Sequence, residues 1–377
     1  MHQPAAPKTV PSPDRERTPA NLLGLDYLAE AERFGPPVVP IIDSHAHING
    51  EKASRTYLRA MEAYGVRRVY SQTQMAQAGI VRGVLGERVR FVAIPEYMAA
   101  DRRRAMREGF FENMRRFHAE FGARMLKFWM APRLRDVLDP QQDADIIEMD
   151  SPLRRELAAE AVSLGYMFQA HIADPDTWFA TKYADASKYG TKAQQYEPLE
   201  RMLDEFGVPW LVAHMGGWPE DLGFLSGLLG RHDNLYLDAS ATKWMVRELS
   251  KHPRDEFVSF IDRWCGRILF GSDIVTLDDH FEQSEDANAR FGAHQASGEA
   301  EAFDLYASRY WALRTLWERE YEGPSPIADP DLAMIEPERY DAMSAATLRG
   351  CALPADLLEV VYARAAEDLL ERWWAEH

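Results

Sequence analysis

The chain has 377 residues, enough for one large α/β domain or two ordinary ones and for a substantial buried core in either case. Its 60 acidic residues outnumber 43 basic ones for a formal net charge of -17, and no Lys/Arg stripe interleaved with aromatics runs along it, which sets nucleic acid aside as a partner. The two cysteines, Cys265 and Cys351, exclude a disulfide framework. The proline-rich start lacks the apolar core of a secretory signal and no apolar run is long enough to span a bilayer, so the expectation is a soluble, cytoplasmic protein with no membrane partner.

In chain order, residues 1–37 read as an N-terminal tail or extension and residues 38–377 as a single domain. The tail opens with Pro4, Pro7, Pro11, Pro13 and Pro19 among charged residues and has little apolar surface to offset the entropy of ordering. From Val38 onward, short β-rich apolar runs alternate with amphipathic stretches, the pattern of repeated βα units on a parallel sheet. The predicted strands are Val38 to Ser44, Arg68 to Thr73, Val89 to Glu96, Arg124 to Met130, Tyr166 to Ile172, Trp210 to Met215, Leu235 to Ser240 and Arg267 to Asp273. Eight such units predict a (β/α)8 TIM barrel, with the N-terminal extension before it and extra C-terminal helices after it.

Between strands, Ser151-Pro152 reads as an N-cap followed by proline at the first helical position, and Pro219 starts a helix carrying Leu222, Leu225 and Leu229. After the eighth strand, Asp279 to Tyr321 is helical in pattern and Pro324 to Pro337 is a breaker-rich connection. Pro354 then opens a last helix with Leu357, Leu358, Val361, Ala365 and Leu369 on one face.

The carboxyl ends of the strands open onto one face of such a barrel, and that is where chemistry-bearing residues collect. The first strand ends in Asp43-Ser44-His45-Ala46-His47, whose two histidines are two residues apart and so share a strand face. The fifth ends in His171, the sixth in His214 and the eighth in Gly271-Ser272-Asp273. Imidazole and carboxylate are the donors that zinc and similar divalent ions take. Any one of these histidines alone is more often a satisfied core or surface group, and it is their shared position that carries the reading. His118, His232, His252 and His280 fall in helical or connecting segments and are read as solvated.

Together, Asp43-x-His45-x-His47, His171, His214-x-Gly216-Gly217 and Gly271-Ser272-Asp273 resemble the amidohydrolase superfamily. The likeness is to its amidohydrolase-related (type 2) branch of metal-dependent barrels, which includes lactonases and non-oxidative decarboxylases. The resemblance implies that His45, His47, His171 and Asp273 bind a divalent metal, most often one zinc, with manganese or iron as the other choices. It implies that His214 stays off the metal to activate water or polarise substrate, and that Asp273 also handles a proton. Asp43 would orient a ligand histidine from behind or simply cap the strand end. Lys127, at the end of the fourth strand, leaves three readings open: carboxylated and bridging two metals, gripping a substrate carboxylate, or snorkelling at the rim. One metal is the favoured reading.

The leading functional expectation is a hydrolase in which water activated by the metal attacks a C-O or C-N bond of a small ester, lactone or amide. The alternatives are non-oxidative decarboxylation of an aromatic or unsaturated carboxylic acid, and, in another class, a catalytically inactive binding or scaffold barrel. The long stretch Asp174 to Tyr196, with Trp178, Lys182 and Tyr183, reads as a lid over a small substrate carrying a carboxylate or an aromatic group, or as an oligomer contact. Arg133, Lys243 and Trp244 are further substrate-facing candidates. The aromatic-rich segment Phe303 to Tyr321 would either pack between the subunits of a homodimer or cover its own barrel.

Overall fold

The structure, a computed structural model, describes residues 17–282 and 294–377. The expectation for most of the proline-rich tail, and part of the helical expectation for Asp279 to Tyr321, fall outside these residues.

The alternating pattern folds as expected into parallel strands, each followed by helix. They are β1 (Ile41–Ile48), β2 (Val66–Ser71), β3 (Val89–Ala93), β4 (Met125–Trp129), β5 (Met167–His171), β6 (Trp210–Val212), β7 (Leu235–Asp238), β8 (Ile268–Leu269) and β9 (Ile274–Thr276). Their order is β8-β7-β6-β5-β4-β3-β2-β1-β9, all parallel. Only residues 270–273 separate β8 from β9, so the two ends of this order belong to one segment of chain. The sheet therefore closes on itself as a (β/α)8 barrel.

The predicted eighth strand is thus corrected to two short ones. The break has a local cause: Asp273 sits at φ +57°, and the amides of Ser272 and Asp273 both donate to the His45 carbonyl, at 3.3 and 2.8 Å, which interrupts the ladder. The clip on the first strand is also relocated. β1 continues through His45 and His47 to Ile48, because its second half pairs with β9, Ala46 opposite Ile274 and Ile48 opposite Thr276.

Inside the barrel, Ile42, Tyr70, Val92, Met125, Met167, Leu211 and Leu269 form one apolar cluster, a residue from each of seven strands, with Tyr236 of β7 packed against it. The C-terminal helix closes this floor from below. It runs from Ala355–Glu359 through wider π turns at Val360–Arg364 and Glu367–Glu371 to Arg372–Glu376. Its expected single apolar face divides: Leu357, Leu358 and Val361 join the core around the barrel, while Ala365 and Leu369 seal the floor. The Tyr70 hydroxyl donates to Glu371 at 2.8 Å and fixes this plug.

Ser151 caps the helix Pro152–Ser163 by accepting from the Arg154 amide, as its sequence predicts. The helix expected at Pro219 instead begins at Leu222, where Asp221 accepts the Phe224 amide at 2.8 Å. The stretch read as a breaker-rich connection contains a strand, β10 (Glu322–Ala328), paired antiparallel with β11 (Ala345–Arg349). Pro324 and Pro326 are compatible with it because a two-stranded sheet is all edge.

The helix Glu299–Glu318 lies on its own barrel. Tyr310 donates to Asp43 at 3.0 Å, the Trp311 indole donates to Glu30 at 3.2 Å, and Tyr306 and Trp317 are fully buried. The extension packs there too, with Leu25 and Tyr27 buried and the Tyr27 hydroxyl donating to the Ala20 carbonyl. Among the described residues, no helix is long and apolar enough to cross a membrane.

Candidate active site

Alternation along each strand lifts a polar layer two residues above the apolar floor. Met125 is followed on the inner face by Lys127, Met167 by Gln169 and then His171, and Tyr236 by Asp238. β1 reaches the same layer by a different route. Between Asp43 and Ala46 it advances three residues while β2 advances two, from Val69 to Ser71, so a bulge reverses the phase of the strand. Ile42 therefore faces inward, Asp43 outward, and His45 and His47 inward again.

That phase change settles where Asp43 points. It is fully buried and accepts from the Ser272 amide (3.0 Å) and hydroxyl (2.6 Å), the His45 amide (3.1 Å) and Tyr310 (3.0 Å). Burial pushes its pKa up to about 7, against the lowering effect of those hydrogen bonds. Its position behind the histidines ties β1 to the eighth segment and to the covering helix.

On the inner side, His47 Nε2 lies 3.1 Å and His45 Nε2 3.6 Å from Asp273 Oδ1. Donor atoms of these three residues all fall within 4.8 Å of one another. Burial opposes ionisation of Asp273, but the His47 hydrogen bond and the surrounding imidazoles outweigh it and hold the carboxyl far below its usual range. His214 stacks on His45 with ring centroids 5.1 Å apart, and burial, followed by the charge of His171, holds it neutral. His214, Met215, Ala241 and Asp273 all have positive φ without being glycine, strain that gathers at this mouth. Gly217 is required beside them: at φ +81°, a Cβ there would lie 2.3 Å from the Ala173 carbonyl oxygen.

His171 stands at the edge of the cluster. Its ring is 4.5 Å from that of His214, and its Nε2 lies 3.1 Å from Asp174, which also accepts the Tyr183 hydroxyl at 2.8 Å.

Four residues that the sequence reading passed over organise the layer. Asp238 accepts from His45 Nδ1 (2.9 Å), the amides of His214 (3.0 Å) and Ser240 (3.1 Å), and the Ser240 hydroxyl. Burial acts to raise its pKa, but His45 outweighs that and keeps it an anion. An anionic Asp238 at Nδ1 assigns the proton of His45 to that nitrogen and leaves the Nε2 lone pair facing Asp273. Ser240 also bridges His45 and His214, its hydroxyl 2.7 Å from His214 Nδ1. Gln72 Nε2 lies 2.8 Å from His45 Nε2 and 3.0 Å from Gln169 Oε1. The signal for Asp238 and Gln169 was present in the strand period, since both sit two residues above a floor residue.

Lys127 is buried beside this layer, and its Nζ has no hydrogen-bond partner among the described residues. Burial pulls its pKa down to about 8, with Asp238 and Asp273 opposing. Two imidazoles and a carboxylate with converging donor atoms are the chemistry of a divalent-ion site, and the residues fit such an ion.

Asp273 also lines a cavity of about 350 Å³, whose walls include Trp178, Lys182, Lys243, Trp244, Tyr306 and Arg309. Of the substrate-facing candidates, Trp178, Lys182, Lys243 and Trp244 therefore reach it. Arg133 is exposed outside the cavity wall, and Tyr183 is occupied with Asp174. The stretch Asp174 to Tyr196 is anchored rather than loose: Trp178 Nε1 donates to Asp331 at 2.7 Å, Tyr189 to Asp136 at 2.6 Å, and Lys192 to Asp176 at 2.7 Å.

The chain is similar to a probable 2-pyrone-4,6-dicarboxylic acid hydrolase from Acinetobacter baumannii solved with citric acid bound, at 9% identity over 72% of this chain and 96% of that one, TM-score 0.41. It is also similar to 5-carboxyvanillate decarboxylase from Sphingomonas paucimobilis, at 9% identity over 88% and 99%, TM-score 0.44. A third similar structure is the 5-carboxyvanillate decarboxylase of Novosphingobium aromaticivorans with manganese and 4-hydroxy-3-methoxy-5-nitrobenzoic acid, at 10% identity over 89% and 96%, TM-score 0.40. No match was found among curated protein sequences. The amidohydrolase family model matches residues 42–304, more than half of the chain and the barrel strands from the second residue of β1 onward, and the chain belongs to that family of metal-dependent enzymes.

Proposed function

We propose that the protein is a metal-dependent hydrolase acting on a C-O or C-N bond of a small ester, lactone or amide. The observation that carries this reading is the convergence of His45, His47 and Asp273 donor atoms within 4.8 Å at the wall of the cavity. His45, His47 and Asp273 would hold one divalent ion, zinc in the leading reading, with His171 joining if its ring turns from Asp174. The ion supplies Lewis acidity, lowering the pKa of water and polarising a carbonyl.

The remaining work belongs to the side chains. Asp238 fixes the His45 tautomer, and Ser240, whose own hydroxyl donates to Asp238, accepts from His214 Nδ1, leaving Nε2 of a neutral imidazole to accept a proton from water or from a substrate hydroxyl. Asp273 is an anion before the reaction and is placed to take up the proton released by the attacking water, becoming neutral, and to pass it to the leaving group. Trp178 and Trp244 exclude water from the cavity wall.

Decarboxylation is the second reading, favoured by the buried, unpartnered Lys127 ammonium, which has a proton to give to carbon. Product analysis separates the two: hydrolysis consumes water and releases no CO2, so stoichiometric CO2 from a turned-over acid would replace the first reading with the second. A scaffold role would require a chain that neither binds a divalent ion nor turns over any ester, lactone or acid after metal is supplied.

A further inference from the structure

Among the described residues, the cavity beside Asp273 carries more positive charge than its own carboxylates neutralise. Lys182 is committed: its ammonium lies 3.6 Å from Asp331 and 3.4 Å from the centre of the Trp178 ring. Asp331 also accepts the Trp178 indole at 2.7 Å, and Asp329 is taken by the buried Arg247. Among the described residues, those are the two carboxylates whose charge acts on Lys243, and both are engaged elsewhere. Among the described residues Lys243 makes no ion pair, and Arg309 has the Ser308 hydroxyl, at 2.8 Å, as its hydrogen-bond partner. Asp273, the anion that acts on Arg309, is held by His47.

Lys243 and Arg309 approach the cavity from opposite parts of the chain, one just after β7 and the other on the helix Glu299–Glu318 that follows the barrel. Burial pulls the Arg309 pKa down to about 10, and Lys243, exposed where it lines the cavity, faces the charge of Arg309. Two cations that repel each other across a small cavity, in a chain of net charge -17, are relieved by a bound anion. The same cavity is lined by Trp244, Tyr306 and Ile274, side chains suited to a flat apolar body.

We propose that Lys243 and Arg309 form a carboxylate-binding subsite for a substrate group separate from the bond that reacts, so that the enzyme selects small, flat acids bearing this distal carboxylate. This rests on the reading of the Asp273 cluster as the reacting end. Arg309 is then a specificity-determining residue supplied by the C-terminal elaboration, outside the stretch 41–276 that forms the barrel strands. The guanidinium offers a planar pair of donors to a carboxylate and Lys243 adds a point charge.

Calorimetric titration of the metal-loaded full chain with benzene-1,3-dicarboxylate and with its neutral diamide tests this directly. The expected result is tighter binding of the dicarboxylate, weakened about tenfold or more in Arg309→Leu and in Lys243→Met, with Arg309→Lys recovering part of it. Diamide affinity and bound metal should stay unchanged in these variants. Equal affinity for acid and amide in the unaltered protein, equal loss for both probes in the variants, or inorganic phosphate binding as tightly as the dicarboxylate would overturn the proposal. Lys243 sits at an accessible position, so Lys243→Met carries the test if Arg309→Leu fails to fold. Titration of chelator-treated protein with zinc, and then with the dicarboxylate, keeps the two readings apart. Acid preference that survives in a chain unable to bind metal refutes the reacting cluster and leaves the subsite standing, whereas stoichiometric metal without acid preference does the reverse.

Discussion

The floor of the barrel and the layer two residues above it are built by the same strands, yet one packs and the other reacts. At the floor, Met125, Met167 and Tyr236 meet the C-terminal helix in an apolar cluster. One step up the inner face, Lys127, Gln169 and Asp238 stand with His45 in a polar layer where nearly every group is fixed by another. The lesson is that strand period, together with the bulge in β1, divides stability from chemistry here, and substitutions at the two levels should fail in different ways.

The largest effect is expected in the upper layer. Replacing His47 by Ala removes one of three converging donors, and bound divalent metal should fall below stoichiometry together with turnover, while the melting temperature of the metal-free chain stays near that of metal-free wild type. Metal retained at one equivalent would contradict the ligand role.

The floor should respond the opposite way. Met167→Ala opens a cavity in a fully buried position and is expected to cost about 2–5 kcal/mol in denaturant unfolding, with metal content per folded molecule unchanged. Coupled loss of metal would show that the two levels are not separable.

Asp238→Asn sharpens the comparison, because it keeps the shape while removing the charge that fixes His45. Metal affinity should drop about 10- to 100-fold by competition titration, with only modest loss of stability. The smallest effect is expected outside both layers. Trp178→Phe deletes the indole bond to Asp331 and should lower stability by about 1 kcal/mol, leaving metal binding intact.

Much of this was legible in the sequence because strand ends announce themselves: His45, His47, His214 and Asp273 follow apolar runs, and all four arrive at one mouth. Asp43 was less readable, since its spacing from His45 places both on one face of a regular strand, and only the bulge before Ala46 turns it outward. Asp238, Gln72 and Gln169 carry no motif, and their role is set by partners contributed from other strands. β10 was hidden by Pro324 and Pro326, residues that read as breakers where a sheet is wide and are harmless where it has only edges. The cavity cation Arg309 lies on a helix with aromatic residues all round, where period gives no hint of which side faces a substrate.

Three converging donors make the proposed metal site, and elemental analysis of the purified full chain after exposure to zinc or manganese tests it most directly. One equivalent of divalent ion in the unaltered protein, and none above background in His47→Ala, is the predicted result. A chain that takes up no ion, or a His47→Ala chain that takes up as much as its parent, would contradict it.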